Sequence, residues 1–133
     1  MKRIISFIGI LTLSLFVLAC GKDEEDLKLI QKQTVGNYNI SVLSSSDKIT
    51  NGYHSLYIEI RNTSKNELVD AGNINVSAHM QMTGMPMSAE MSTIKTNTTG
   101  RYHIKYNFPM SGTWILDVRL EDGQGANFSI SVQ

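Results

Sequence analysis

Cysteine is nearly absent: Cys20 is the only one in 133 residues. No disulfide can form within the chain, and a structural zinc ribbon, which needs several thiolates, is excluded. No stretch carries the long 3.6-residue apolar period of a helical bundle, and no internal repeat or low-complexity tract is present. A Gly-x-Ser-x-Gly elbow and a glycine-rich phosphate loop are both missing, so two common routes to catalysis have no support. The remaining carboxylates are scattered, and the chain is expected not to be an enzyme. Surplus positive charge is lacking as well. Twelve basic residues balance twelve acidic ones, which leaves no basic face for a nucleic acid.

The N-terminus holds what the rest lacks, a long apolar run. Met1-Lys2-Arg3 is basic, and residues 4–19 are apolar apart from Ser6, Gly9, Thr12 and Ser14. A basic start, an apolar centre and a small residue before a cut describe a secretory signal. The run is shorter than the ~20 residues that span a bilayer, so an uncleaved anchor is the lesser alternative. Leu18-Ala19-Cys20-Gly21 resembles the lipobox of bacterial lipoproteins. That resemblance implies acylation of Cys20, with palmitate-type chains holding the protein to a membrane of the cell envelope. An acylated Cys20 cannot serve as a thiolate ligand, so a His₂Cys blue-copper centre is also excluded. The expected organisation is a signal peptide over 1–19, a lipidated cysteine and polar tether over 20–35, and one domain over 36–133. Without Lys2 and Arg3 the 12 basic residues become 10 against 12 acidic, a charge of about −2. Asp23-Glu24-Glu25-Asp26 follows the cysteine closely. It is similar to the acidic export signals that send some lipoproteins to the outer membrane or cell surface.

From Gly36 onward apolar residues alternate with polar ones, the period of half-buried strands. Tyr38, Ile40 and Val42 form the first such series, and Leu56, Ile58 and Ile60 the second. Ile74, Val76, Ala78, Met80 and Met82 follow, then a weaker strand near residues 90–96. Tyr102 to Phe108, Trp114 to Leu120 and Phe128 to Val132 complete the set. Asn51-Gly52, Asp70-Ala71-Gly72-Asn73, Ser111-Gly112 and Asp122-Gly123 supply turn chemistry between them. The expectation is an all-β fold, an immunoglobulin-like antiparallel sandwich of about seven strands. Alternating strand directions then put residues 44–51, residues 85–90 and Met110 at one end. On this reading the tether leaves from the other end.

Methionine is abundant where cysteine is not. Of seven methionines, Met80, Met82, Met85, Met87 and Met91 fall within about a dozen residues, and Met110 stands apart. A thioether is a soft, neutral ligand that prefers Cu(I) to zinc, magnesium or calcium. Methionine also fills irregular gaps in cores and builds adaptable docking surfaces. Met80 and Met82 continue an inward-facing series and read first as core. Met85, Met87 and Met91 flank Gly84 and Pro86, which interrupt the strand, so they fall on a loop or its margin. Met85, Met87, Met91 and Met110 are thus the candidate Cu(I) ligands, with Met80 and Met82 as weaker ones. His79 and His103 lie on outward phases and read as surface residues, although the two together could form a second, weaker site. The competing reading is a protein-interaction module whose methionine-rich tip docks another envelope protein.

Three short motifs carry a family resemblance: Met85-Pro86-Met87, Gly100-Arg101-Tyr102, and Phe108-Pro109-Met110-Ser111-Gly112-Thr113-Trp114. In this order and spacing they resemble the YtkA-like or FixH-type domain, over essentially residues 36–133. The resemblance implies an extracytoplasmic β-sandwich connected with copper supply or oxidase assembly, and a copper-receiving envelope protein as partner. Many members follow Met-Pro with a further methionine and a histidine. Here Ser88, Ala89, Glu90 and Met91 come next, which leaves thioethers alone. FixH-type members also carry a membrane-spanning anchor, in contrast to the lipid anchor expected here.

Overall fold

A computed structural model describes residues 26–81 and 84–133. The signal segment, Cys20 and Met82 therefore lie outside the described residues. No helix occurs among the described residues, and nine strands form two antiparallel sheets. They are β1 (Lys28–Val35), β2 (Tyr38–Ser44), β3 (Gly52–Asn62), β4 (Asn75–Met80), β5 (Met87–Ser88), β6 (Glu90–Lys95), β7 (Arg101–Phe108), β8 (Gly112–Arg119) and β9 (Gly125–Val132). One sheet runs β1-β2-β3-β7-β6 and the other β5-β4-β8-β9.

The alternation seen in the sequence is the alternation of burial. Ile40, Val42, Leu56, Ile58, Ile60, Ile104 and Phe108 from the larger sheet meet Trp114, Leu116, Val118 and Phe128 from the smaller, all fully buried. Full burial of such a side chain stabilises by roughly 1.5–3 kcal/mol, which makes this inter-sheet layer the main source of stability. Trp114 is completely enclosed, and its indole N–H donates to the Met110 carbonyl at 3.1 Å. It is a packing anchor whose one polar atom has a partner.

Two strands exceed the seven expected. β5 is a two-residue pairing with β4, after which the chain crosses between sheets. Ala89 N–H still donates to Ala78 O at 3.1 Å, whereas Glu90 already pairs with Asn107 of β7. The other addition is β1, made from residues expected to be tether. Lys28–Val35 runs antiparallel to β2, with one register shift between Leu29 and Gln31. Its polar composition suits an edge strand, where lysines and a bulge discourage pairing with other chains. Gln33 Nε2 donates to the Asn127 carbonyl of β9, joining this edge to the other sheet.

This strand also reverses an expectation about polarity. Lys28 pairs with Ser44 at the end of β2, and its ammonium meets Asp47 at 2.9 Å. The chain therefore enters the domain beside the 45–51 loop. Because β1 adds one more antiparallel pass, that is the end to which β4 rises and from which β6 and β8 descend. The N-terminal segment leaves from the methionine end, not from the opposite one.

Candidate functional site at the methionine end

Alternating strand directions bring every described candidate methionine to one end of the sandwich. Met80 closes β4, Met87 opens β5, Met91 is the second residue of β6, and Met110 lies two residues before β8. Met85 sits on the intervening turn, where Gly84 takes a positive φ of 92°. The opposite side of this end is closed differently. Ile49 is 2% exposed and bridges Val132 of β9, with backbone bonds tying Asn51 and Ile49 to Gln133.

The thioethers differ sharply in exposure. Met80 is buried in the core, as its inward phase predicted. Met87, Met91 and Met110 are half-buried and pack against that core. Met85 is 76% exposed. Met80 and Met87 are direct cross-strand partners on one face, a placement that sets Cβ atoms about 4.5–5.5 Å apart. The Met80 methyl also reaches Gly112, where an added Cβ would stand 2.6 Å from Met80 Cε. That contact places Met80 two residues along the chain from Met110. Met91 belongs to the other sheet and faces Tyr106 across β6 and β7. From Tyr106 a run of ring contacts continues through Phe108 at 4.6 Å to Trp114 at 5.0 Å.

The chemistry offered is thus a shallow set of neutral sulfurs, three half-buried and one exposed, backed by aromatic rings. Such a donor set fits Cu(I) and not a hard cation. Among the described residues no group of three or more histidines, cysteines or carboxylates could hold a metal ion. The pairings join Met80 directly to Met87 and, through Gly112, to the segment that carries Met110, while Met85 sits on the turn before β5 and Met91 on β6 of the other sheet.

The two histidines do not meet. His79 pairs with Ser88 and Ile115 on the outer face of the smaller sheet, opposite in phase to Met80. His103 lies on the outer face of the larger sheet and stacks on Tyr57 with ring centroids 4.8 Å apart. Both phases were read correctly as outward, but β4 and β7 belong to different sheets, so the whole sandwich separates the imidazoles. The second site expected from His79 and His103 is excluded.

One feature escaped the sequence reading. A groove of about 640 Å³ lies beside the 45–51 loop, with Lys48, Tyr53, His54, Glu90, Met91 and Lys105 among its walls. Burial pushes the Tyr106 hydroxyl above the usual tyrosine pKa, and hydrogen bonding with Thr50 opposes that rise. These residues come from three strands and a loop with no shared motif, so no local signal could have found the groove.

Two antiparallel sheets packed over one apolar layer, with a strand crossing between them, define an immunoglobulin-like β-sandwich. The filamin domain of Lin-41 has a similar fold, with a TM-score of 0.53 at 13% identity over 77% of this chain and 98% of that one. The profile of the YtkA-like family matches residues 32–119, and the chain belongs to that family. A comparison with curated proteins finds no match.

Proposed function

We propose that this protein is a lipid-anchored module outside the cytoplasm that binds Cu(I) through methionine sulfurs, to buffer the ion or pass it to an envelope partner. The carrying observation is the Met80–Met87 cross-strand pair, with Met85 exposed beside it and Met110 reached through Gly112. Thioethers need no deprotonation to coordinate, so this end offers ligands whatever its local pH. The order of the Met-Pro, Gly-Arg-Tyr and Gly-x-Trp motifs supports the FixH-type side of the kinship. The lipobox-like Leu18-Ala19-Cys20-Gly21 supports an anchored, non-catalytic role in the cell envelope.

Replacing Met85, Met87 and Met110 together with leucine tests the reading. Leucine nearly conserves volume, and such swaps usually cost under about 1.5 kcal/mol, so the fold is expected to survive. Cu(I) titration against a competing chelator should show the triple variant binding at least tenfold more weakly. The single Met91→Leu variant is expected to change affinity less, because Met91 pairs with Tyr106 in the other sheet and not with Met80 or Met87. Binding no tighter than micromolar in the parent protein, or unaltered binding in the triple variant, overturns the proposal.

A further inference from the structure

The end that carries the methionines is also the end at which the chain arrives from its N-terminal segment. Lys28 is held there twice, by pairing with Ser44 and by its ion pair with Asp47 at 2.9 Å. At full extension the roughly eight residues from Cys20 to Lys28 reach about 28 Å at most. Strand β7, at ~3.3 Å per residue, makes the sandwich about 25 Å long. An anchor at Cys20 could set the far end against the bilayer only by running nearly its full length back along the domain. A shorter path for the tether favours the methionine end on the lipid side.

The surface of that end suits such a position. Among the described residues four large hydrophobic side chains are exposed, and three of them lie at this end. Leu29 is 56% exposed near the start of β1, Tyr53 79% exposed at the start of β3, and Met85 76% exposed on the turn before β5. The fourth, Ile94, lies lower on β6. Single apolar residues on a surface need no explanation, but three of the four sharing the pole at which the chain enters suit that pole to contact with lipid. Tyrosine pairs an apolar ring with a polar tip and favours the water–lipid boundary. Lys28 meets Asp47 at 2.9 Å with Asp26 also acting on it, and Glu90 lines the same groove as Lys48 and Lys105, so contact with a bilayer does not require anionic lipid.

We infer that the domain stands on the membrane with its methionine end down, and that Leu29, Tyr53 and Met85 rest in the interfacial region of the bilayer. The inference rests on the membrane attachment in the functional reading and not on its copper ligands. A Cu(I) site here would lie at the lipid boundary, reached from the side, instead of projecting into the surrounding medium.

The full chain, processed and reconstituted in phosphatidylcholine vesicles, provides the test. Single cysteines carrying a fluorophore are placed at Ser45 and Gln81 on the methionine end and at Lys65 on the far end, all exposed positions. The chain without an added cysteine measures any labelling of Cys20. A nitroxide on the lipid headgroup should quench the Ser45 and Gln81 probes at least threefold more than the Lys65 probe. Adding Leu29→Ser and Tyr53→Ser should leave the protein floating with the vesicles but lower quenching at Ser45 by half or more. Equal quenching at the two ends, stronger quenching at Lys65, an unchanged signal in the double variant, or failure to float each overturns the inference. Cu(I) titration of the same vesicles is read separately, so loss of metal binding with the orientation intact removes only the copper reading.

Discussion

The terminal methyl of Met80 occupies the space that a side chain on Gly112 would need, with Cε 2.6 Å from an added Cβ. Gly112 also has a φ of 142°, which disfavours any other residue. Gly112→Ala therefore meets two penalties, backbone strain and the displacement of one flexible methionine. Together they should destabilise by about 1–2 kcal/mol. Met80→Ala opens a cavity and should cost about 2–4 kcal/mol. The double variant loses the clash but keeps the strain, so its cost should fall short of additive by about 0.5–1 kcal/mol. A urea-unfolding double-mutant cycle measures this, and strict additivity would refute the contact.

Gly100 presents a harder constraint. A Cβ there would lie 2.7 Å from Val69 O and 2.9 Å from both Ile60 O and Val69 N, at a φ of 77°. All three neighbours are backbone atoms, and Gly100 itself accepts from Ile60 N–H at 2.8 Å, so nothing can swing aside. Gly100→Ala should destabilise by about 3 kcal/mol or more. Gly123→Ala, with a φ of 91° but open space around it, should cost only about 1 kcal/mol. Equal melting temperatures for the two variants would contradict this account of the Gly100-Arg101-Tyr102 motif.

These two glycines show how unevenly the sequence announced the fold. Strands β2, β3, β4, β7, β8 and β9 were legible because each buries one face completely, and burial imposes a period of two. Strand β1 was not legible. It lies at an edge, reads Lys-Leu-Ile-Gln-Lys-Gln-Thr-Val, and buries no residue fully. One local sign was available: Gly36-Asn37 joins Val35 to Tyr38 as a two-residue hairpin turn, with a φ of 56° at Gly36. Gathering of the methionines at one end followed from strand direction alone, which made the candidate site partly foreseeable. Assigning β4 and β7 to different sheets did not follow, because residue phase says nothing about sheet membership. His79 and His103 were paired on phase alone, and for that reason the pairing failed.

Glu59 lies on the outer face of the larger sheet yet is only 5% exposed. Its Oε2 faces the guanidinium groups of Arg61 and Arg101, each at 3.6 Å. These separations exceed good hydrogen-bond geometry, and Oε2 has no hydrogen-bond partner. Charge alone holds the cluster. Glu59→Ala strands the more buried guanidinium of Arg101 and should cost about 3 kcal/mol. Arg61→Ala removes the more exposed partner and should cost under about 1 kcal/mol. Chemical denaturation of the two variants checks the order, and a larger loss for Arg61→Ala would reverse the assignment.

Tyr102 couples the domain to alkaline pH. Its ring is buried and its hydroxyl donates to Gly72 O at 2.5 Å. Burial, assisted by the charges of Asp70 and Glu121, raises its pKa above the ordinary 10, and Tyr106 is raised chiefly by burial. Above pH ~10 the unfolded chain releases these protons while the folded chain still holds them. The stability they contribute is complete below that pH and is lost as pH rises through the raised folded values. Tyr102→Phe should cost about 1 kcal/mol at neutral pH, from the lost hydrogen bond. It should also make the alkaline decline shallower, as thermal melts between pH 8 and roughly 11.5 would record. An alkaline slope identical to that of the parent protein would count against the linkage.

Cu(I) binding should respond to acid in a manner set by ligand type. A thioether carries no proton over the physiological range, whereas an imidazole must lose one before it can coordinate, with an ordinary pKa near ~6.5. With Met85, Met87 and Met110 as the donors, chelator-corrected affinity should stay within about twofold between pH ~7 and ~5. Substituting His79 or His103 with glutamine should leave that flat profile in place, because each imidazole lies on an outer face away from the thioethers. A tenfold loss of affinity on acidification, abolished by either glutamine substitution, would transfer the metal from sulfur to nitrogen. It would also demand a different arrangement of the two sheets.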